Sequence, residues 1–312
     1  LSNYRGVMEV LAHIREVDLP AARLLSALLV ISYFRHDSPT LAELLSRSHI
    51  GVINFWGGEP ARTEVSKKVS ENPHHPRLVI NGPLTGVAVL DNSSANEAAA
   101  QDLAANVILY NQQLCSSPTT AIFIGRHSEA VAFAESTAKK LDVLGDQSHM
   151  PTSDGAAFTL QSARRLLRFK GSTVISSQNP NNLWTMVVSD GTSAMDGIVA
   201  SLPDFAPHAR RRFLEMISVS DISSAVKLIG SIPSMRAFCG IDKVQTAGIA
   251  LSPDKAEGIA GMLAEAGVYR IVPLADMSMR SPSEPYDGVA IPSSFTYIVY
   301  RRTLPLGFGG SS

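Results

Sequence analysis

Gly86-Val87-Ala88-Val89-Leu90, then Ala95 to Leu109, then Thr120-Ala121-Ile122-Phe123-Ile124: these three segments decide the fold. The first and last are short, apolar and rich in β-branched residues, and read as buried strands. The middle one, with Asn92 or Ser93 as its cap, reads as a helix. A strand, a helix and a second strand make a crossover unit, which pairs strands in parallel. The same alternation runs outward on both sides. Upstream lie a strand at Ile50 to Phe55, a Gly57-Gly58 break, a helix from Ala61 to Glu71 and a strand at Leu78-Val79-Ile80. Downstream come a helix from Ser128 to Leu141 and a strand from Leu183 to Val188. A helix capped by Asp221 runs through Leu228, and a strand spans Val244 to Ala250. Pro253 opens a further helix to Ala266, before a strand at Tyr269 to Val272. The expected class is α/β, with layers around a mostly parallel sheet. In the first fifty residues, Val10, Leu11 and Ile14, then Leu24, Leu25, Leu28 and Leu29, fall on helical stripes separated by Pro20. Thr40 with Glu43 reads as a capping box. Ser281 to Pro292, with three prolines, reads as a loop, and residues 303–312 as a flexible tail.

Composition sets limits on function. The chain has 312 residues, with Lys+Arg 27 against Asp+Glu 28. That balance gives no bulk positive field for nucleic acid or anionic lipid. Two cysteines, Cys115 and Cys239, cannot build a disulfide framework, so a reducing, cytoplasmic setting is expected. The longest apolar stretch, Leu24 to Ile31, is far shorter than a membrane span, and the N-terminus carries no signal-peptide pattern.

The candidate chemistry centres on Cys115, in Asn111-Gln112-Gln113-Leu114-Cys115-Ser116-Ser117-Pro118. It falls on the turn between the helix and the following strand, where free backbone N–H groups can favour a thiolate and hold an oxyanion. The bland alternative is a small buried hydrophobe. Cys239 lacks this setting and reads as structural. Gly57-Gly58, between a strand and a helix, has the geometry of a phosphate cradle, with Arg62, Lys67 and Lys68 near enough to neutralise charge. The G-x-G-x-x-G fingerprint is absent. The histidines do not pair at ligand spacings, so no metal site is expected. No G-x-S-x-G elbow occurs. Arg210-Arg211-Arg212 reads as a solvated helix end.

Taken in order, Ile53 to Lys68, Ile80-Asn81-Gly82-Pro83-Leu84 and Asn111-Gln112-Gln113-Leu114-Cys115 resemble the cofactor turn, the glycine motif and the nucleophile motif of the aldehyde dehydrogenase superfamily. Gln112-Gln113 stands where that family has Gly-Gln. Gln112 to Pro118, Lys243 to Gly248, Ala266 to Leu274, Tyr286-Asp287-Gly288 and Phe295 to Val299 are similar to the narrower LuxC-like fatty-acyl reductase branch. The resemblance implies an aldehyde-dehydrogenase-like fold. Residues 1–85 would be the later part of a nicotinamide-cofactor domain and residues 86–302 a catalytic domain. It also implies an upstream segment with a cofactor lysine and an oxyanion asparagine, so the chain reads as N-terminally truncated. Cys115 would be the nucleophile; Gly57, Gly58, Arg62 and Gly82 would meet the cofactor, NADPH in preference to NADH. Acyl-CoA or an acyl carrier protein would be the substrate and partner, and self-association is expected.

One departure concerns chemistry. Hydrolytic members carry a glutamate in the motif at Ile80-Asn81-Gly82, whereas no acidic residue lies between Arg77 and Leu90. Without that base an acyl-cysteine survives water longer, which favours thiol exchange or reduction by hydride. A carboxylate aimed at Cys115 from elsewhere in the chain would undo the reductive half of this reading. The expected function is therefore an acyl-thioester reductase that works through an acyl-cysteine and NAD(P)H. The alternatives are a semialdehyde or acyl-phosphate type reductase of the same superfamily, or a truncated, non-catalytic docking module.

Overall fold

The computed structural model describes residues 9, 10, 12–14, 16, 20–28, 32–149, 151–202, 205, 210–281, 283–296 and 299. The expected tail at 303–312 lies outside the described residues, as do Leu11 and Leu29 of the helical stripes. The chain divides into two compact units, Leu1–Ile50 with Val65–Pro76 and Gly51–Glu64 with Arg77–Ser312. A boundary near residue 85 is a functional division and stays a proposal.

The smaller unit contains α1 (Pro20–Leu28), α2 (Pro39–Arg47) and the end of α3 (Ala61–Ser70). Pro39 occupies the first turn of α2 and Ser38 is its N-cap residue, so Thr40 lies inside the helix and caps nothing. The fixed φ of proline suits that first turn and starts the helix early. The buried Asn72 amide donates to the carbonyls of Leu45 and Ser48, both at 3.0 Å, which closes the end of α2.

In the larger unit β1 (Val52–Trp56) and β2 (Arg77–Asn81) pair in parallel, Val52 opposite Arg77 and Trp56 opposite Asn81. The remaining strands are β3 (Leu84–Asp91), β4 (Pro118–Ile124), β5 (Thr173–Ser176), β6 (Thr185–Asp190), β7 (Phe213–Val219), β8 (Lys243–Ala250) and β9 (Arg270–Pro273). They form one sheet in the order β5-β6-β7-β4-β3-β8-β9, parallel except for the β5–β6 pair. Successive side chains of a strand point to opposite faces, and here both faces are covered. Val87, Val89, Ile122 and Ile217 pack on one side against α6 (Asp154–Phe169), α7 (Ile222–Ser231) and α8 (Pro253–Glu265). Ala88, Leu90, Ala121 and Phe123 pack on the other against α4 (Glu97–Ile108) and α5 (His127–Asp146). Two buried faces explain why the central strands read as unbroken apolar runs.

Several local expectations change. The cap of α4 is Asn96, which accepts from the Ala99 N–H at 3.0 Å. Asn92 and Ser93 instead belong to a turn whose Ser94 and Ala95 N–H groups bond to the Asp91 carbonyl. Arg210-Arg211-Arg212 is the entry to β7, not a solvated helix end. Arg210 and Arg212 are buried because carbonyl and amide oxygens receive their guanidinium protons. α6, β5 and β7 were not expected from the sequence.

Arg164, on α6, is also fully buried. It donates to the Thr185 hydroxyl at 2.9 Å, the Ser177 carbonyl at 3.2 Å and the Trp184 carbonyl at 2.8 Å. Burial lowers its pKa to about 10, so it stays charged at neutral pH. Arg164→Leu takes the donor from the Ser177 carbonyl and the Thr185 hydroxyl, while the Trp184 carbonyl keeps the Ser177 N–H, and a stranded polar group costs about 1–3 kcal/mol. Urea unfolding should show a loss of that order or more; an unchanged midpoint would mean that this network does not stabilise the sheet.

Candidate active site

α4 stops at Ile108, and the chain then takes a tight turn over Leu109–Gln112. Tyr110, Asn111 and Gln112 have φ of 48°, 54° and 64°, the left-handed region that non-glycine residues rarely adopt. Side-chain hydrogen bonds to the start of β4 and the entry to β7 hold this run. The buried Gln112 amide donates to the carbonyls of Pro118 at 2.7 Å and Phe213 at 2.8 Å. Its own oxygen accepts from the Phe213 N–H at 2.6 Å. The Asn111 side-chain oxygen accepts from Arg212 Nε at 3.0 Å and Nη2 at 2.7 Å. Gln113 Nε2 donates to the Arg210 carbonyl at 3.2 Å. Left-handed backbone suits glycine, yet Gln112 uses its side chain to secure the turn instead.

Cys115 follows on a turn closed by the Ser117 N–H on the Leu114 carbonyl, 3.0 Å. That turn lies against Gly86, whose N–H donates to the Ser117 carbonyl at 3.1 Å. A Cβ on Gly86 would stand 2.2 Å from the Ser116 carbonyl oxygen. The pairing of β3 with both its neighbours shifts register at Gly86, next to the turn.

Cys115 is half-buried. Burial pushes its thiol pKa up and the charge of Asp287 adds to the rise, while the N–H groups of Leu84 and of Cys115 itself, and Arg280, pull the other way. The turn therefore holds a thiol rather than the thiolate expected from its backbone. Cys239 is exposed, so it is not the packed cysteine the sequence indicated.

Residues remote in sequence complete the surroundings. Tyr286 lies between the Trp56 ring, 4.8 Å centroid to centroid, and the Arg280 guanidinium, 4.4 Å from its ring centre. Gln245 Nε2 donates to Asp287 Oδ1 at 2.5 Å. Burial raises the Asp287 carboxyl, with Gln245 and Arg280 opposing. Arg280 Nη2 is a buried donor with no partner among the described residues. Asp287, remote in sequence, is thus a carboxylate whose charge acts on the Cys115 thiol. Sequence reading missed Asp287, Arg280 and Gln245 as site residues, although Asp287-Gly288 is a recognised hairpin-turn pair.

The proposed cofactor residues do come together. The Gly57 N–H donates to the Asn81 carbonyl at 3.2 Å, the Arg62 N–H to the Gly58 carbonyl at 3.0 Å, and Gly58 lies beside the Pro83 ring. Arg62 binds Glu59 at 2.7 Å and Asp242 at 2.6 Å. The space beside Gly82 is filled, since a Cβ there would meet Asp242 at 2.2 Å; one on Gly57 would meet the Phe55 ring at 2.8 Å. Glu59 also caps the first turn of α3 through the Thr63 N–H and hydroxyl. The chain's own carboxylates therefore occupy the donors that a phosphate would use. In this arrangement the residues do not fit a dinucleotide pyrophosphate. Among the described residues no group of side chains could hold a metal ion, and no helix is long and apolar enough to cross a membrane.

A family model described as acyl-CoA reductase (LuxC) matches residues 5–296. The chain is similar to the long-chain acyl-protein thioester reductase of Aliivibrio fischeri, 25% identical over 261 residues, covering 82% of this chain and 48% of that protein. It is 29% identical over 178 residues to the long-chain acyl-protein thioester reductase of Vibrio harveyi, covering 56% of this chain and 35% of that one. The chain thus spans about half the length, or less, of these curated relatives. Among solved structures it resembles the NADP-dependent glyceraldehyde-3-phosphate dehydrogenase of Bacillus halodurans, complexed with NADP. The TM-score is 0.55 at 18% identity, over 78% of this chain and 48% of that one. At that identity the likeness concerns fold, and the fold is aldehyde-dehydrogenase-like, as the resemblance implied.

The contact at Gly86 gives a direct test of how the turn is seated. Gly86→Ala forces a methyl group against the Ser116 carbonyl, an overpacking that costs about 1–3 kcal/mol. Thermal unfolding should fall accordingly, and iodoacetamide should alkylate Cys115 severalfold faster as the turn lifts, with Cys239 unchanged as internal control. Unaltered stability and Cys115 reactivity would show that the turn does not rest on Gly86.

Proposed function

This chain belongs to the acyl-CoA reductase (LuxC) family, and from that premise we propose that Cys115 accepts the acyl group in the reduction of an acyl thioester to an aldehyde. The observation that supports this reading most is the setting of the thiol. It is half-buried on a turn fixed by side-chain hydrogen bonds and feels the charge of Arg280, whose buried Nη2 has no hydrogen-bond partner among the described residues.

The Cys115 sulfur attacks the thioester carbonyl. The developing oxyanion takes the Cys115 N–H and, as the side-chain donor, Arg280 Nη2; donors aimed at such charge are worth most where water is excluded. The donor's thiol leaves and an acyl-cysteine remains. Half-burial of the sulfur limits access of water to that ester. Reduction to the aldehyde then requires a nicotinamide cofactor, NADPH by resemblance to the branch, and no residue of this chain is given a part in that step. Assignment of Gly57, Gly58, Arg62 and Gly82 to the cofactor remains a proposal, and it requires Glu59 and Asp242 to release Arg62. Residues up to about 85 would then serve the cofactor and residues 86–302 the acyl group. The relatives act on acyl groups carried by a protein, which favours a carrier protein over CoA as the donor. Both cysteines are free, as a reducing cytoplasmic setting would keep them.

Incubation with palmitoyl-CoA should add one palmitoyl group to the intact mass of the chain, and Cys115→Ser should abolish the adduct. An adduct that persists in Cys115→Ser would remove the nucleophile from this account.

A further inference from the structure

We propose that Arg212 is the positioning residue of the nucleophile turn: through Asn111 it holds Cys115 in the placement from which the sulfur attacks an acyl thioester. This deepens the acyl-transfer reading above and rests on it.

Two segments that hydrogen-bond to each other both lie in left-handed backbone. Arg212 has φ of 46°, and Tyr110, Asn111 and Gln112 have 48°, 54° and 64°. A bulky side chain at such a φ is a genuine outlier, and it persists only where its surroundings over-determine it. The Arg212 carbonyl accepts from the Thr185 N–H at 2.9 Å, which ties its backbone to the start of β6 just before β7 begins. Its side chain is fully buried and reaches in two directions. Towards the end of α5, Nη1 donates to Asn182 Oδ1 at 2.7 Å and to the Gly145 carbonyl at 3.4 Å, and Nη2 donates to the Ser148 carbonyl. Towards the turn, Nε and Nη2 share the Asn111 side-chain oxygen at 3.0 and 2.7 Å. These four acceptors are neutral oxygens, so the buried guanidinium serves here as a planar fork between two segments and not as half of an ion pair.

The anchor reaches the sulfur along a short, tied path. Three residues separate Asn111 from Cys115. Gln112 binds Pro118 and Phe213 through its side chain. Gln113 donates from its side chain to the Arg210 carbonyl and from its N–H to the Tyr110 carbonyl, 3.2 Å each. The Leu114 carbonyl accepts from the Ser117 N–H. A displacement of Asn111 is therefore carried to Cys115. Attack requires sulfur and carbonyl carbon to be close and aligned, and a misplacement of about 1 Å costs on the order of 10²-fold in rate.

The test is single-turnover acylation of the full chain by palmitoyl-CoA, at a temperature where circular dichroism shows each variant fully folded, with iodoacetamide alkylation of Cys115 alongside. Asn111→Gly suits the left-handed backbone but takes the oxygen from Arg212. Its maximal acylation rate should fall by roughly tenfold or more, with the half-saturating palmitoyl-CoA concentration unchanged. Alkylation of Cys115 should rise severalfold while that of Cys239 stays constant. Asn111→Asp restores an acceptor oxygen and should recover both the rate and the slow alkylation. Arg212→Lys cannot offer two nitrogens to one oxygen, so it should repeat the Asn111→Gly result, and it carries the test if Asn111→Gly does not fold. A merely structural role would lower the unfolding midpoint and leave the acylation rate of the folded chain at its wild-type value. That result overturns the proposal, as does a lost rate that Asn111→Asp fails to recover. If the wild-type chain takes no acyl group, the functional reading falls. Faster Cys115 alkylation in Asn111→Gly would still show that Arg212 seats the turn, and unchanged alkylation would remove that as well.

Discussion

Three consecutive non-glycine residues in left-handed backbone, Tyr110 to Gln112, deliver Cys115 to its place. Such conformations cost roughly 1–3 kcal/mol each and persist only where surroundings over-determine them. Here the surroundings are the first residues of β7. Phe213 takes both ends of the Gln112 amide, and Arg212 binds Asn111 through two nitrogens. Hydrogen bonds that involve a charged group contribute more than neutral ones, and a buried donor left unmade costs more still. The strain is therefore fixed by the same strand that pairs with β4 beyond the cysteine. From this constraint follow the half-burial of the sulfur, the seat of the turn on Gly86 and the exposure of Cys115 to the charges of Asp287 and Arg280.

Those charges change the chemical picture drawn from local sequence. Free backbone N–H groups alone would favour a thiolate, but burial and Asp287 outweigh them. A thiol that must lose its proton at the moment of attack responds to the charges around it, and here Asp287 opposes that loss while Arg280 favours it. At the proposed cofactor residues Glu59 and Asp242 neutralise Arg62, so a phosphate would have to compete with two carboxylates already in place.

The central strands and their crossover helices were legible because apolar, β-branched runs bounded by turn residues have few other fates. Asp221 and Pro253 marked helix starts for clear physical reasons, a side-chain cap and a fixed φ. β7 was hidden. Its Glu215 and the arginines before it look like surface, yet Glu215 is buried and receives the hydroxyls of Ser189 and Ser193, both at 2.6 Å. Polar residues satisfied by distant partners cannot be told from solvated ones by composition. The same holds at the site. Cys115 was readable from its position on a turn, whereas Arg212, Gln245, Asp242 and Asp287 reach their partners only through the sheet topology. The prolines of the segment from Ser281 onward marked a loop and concealed the Asp-Gly turn inside it.

The most direct measurement maps where an acyl group settles within a single molecule. After brief exposure to radiolabelled palmitoyl thioester and proteolysis, the account predicts label on the peptide that contains Cys115, released by neutral hydroxylamine, and none on the more exposed Cys239. Label on Cys239, or divided between the two according to exposure, would contradict it.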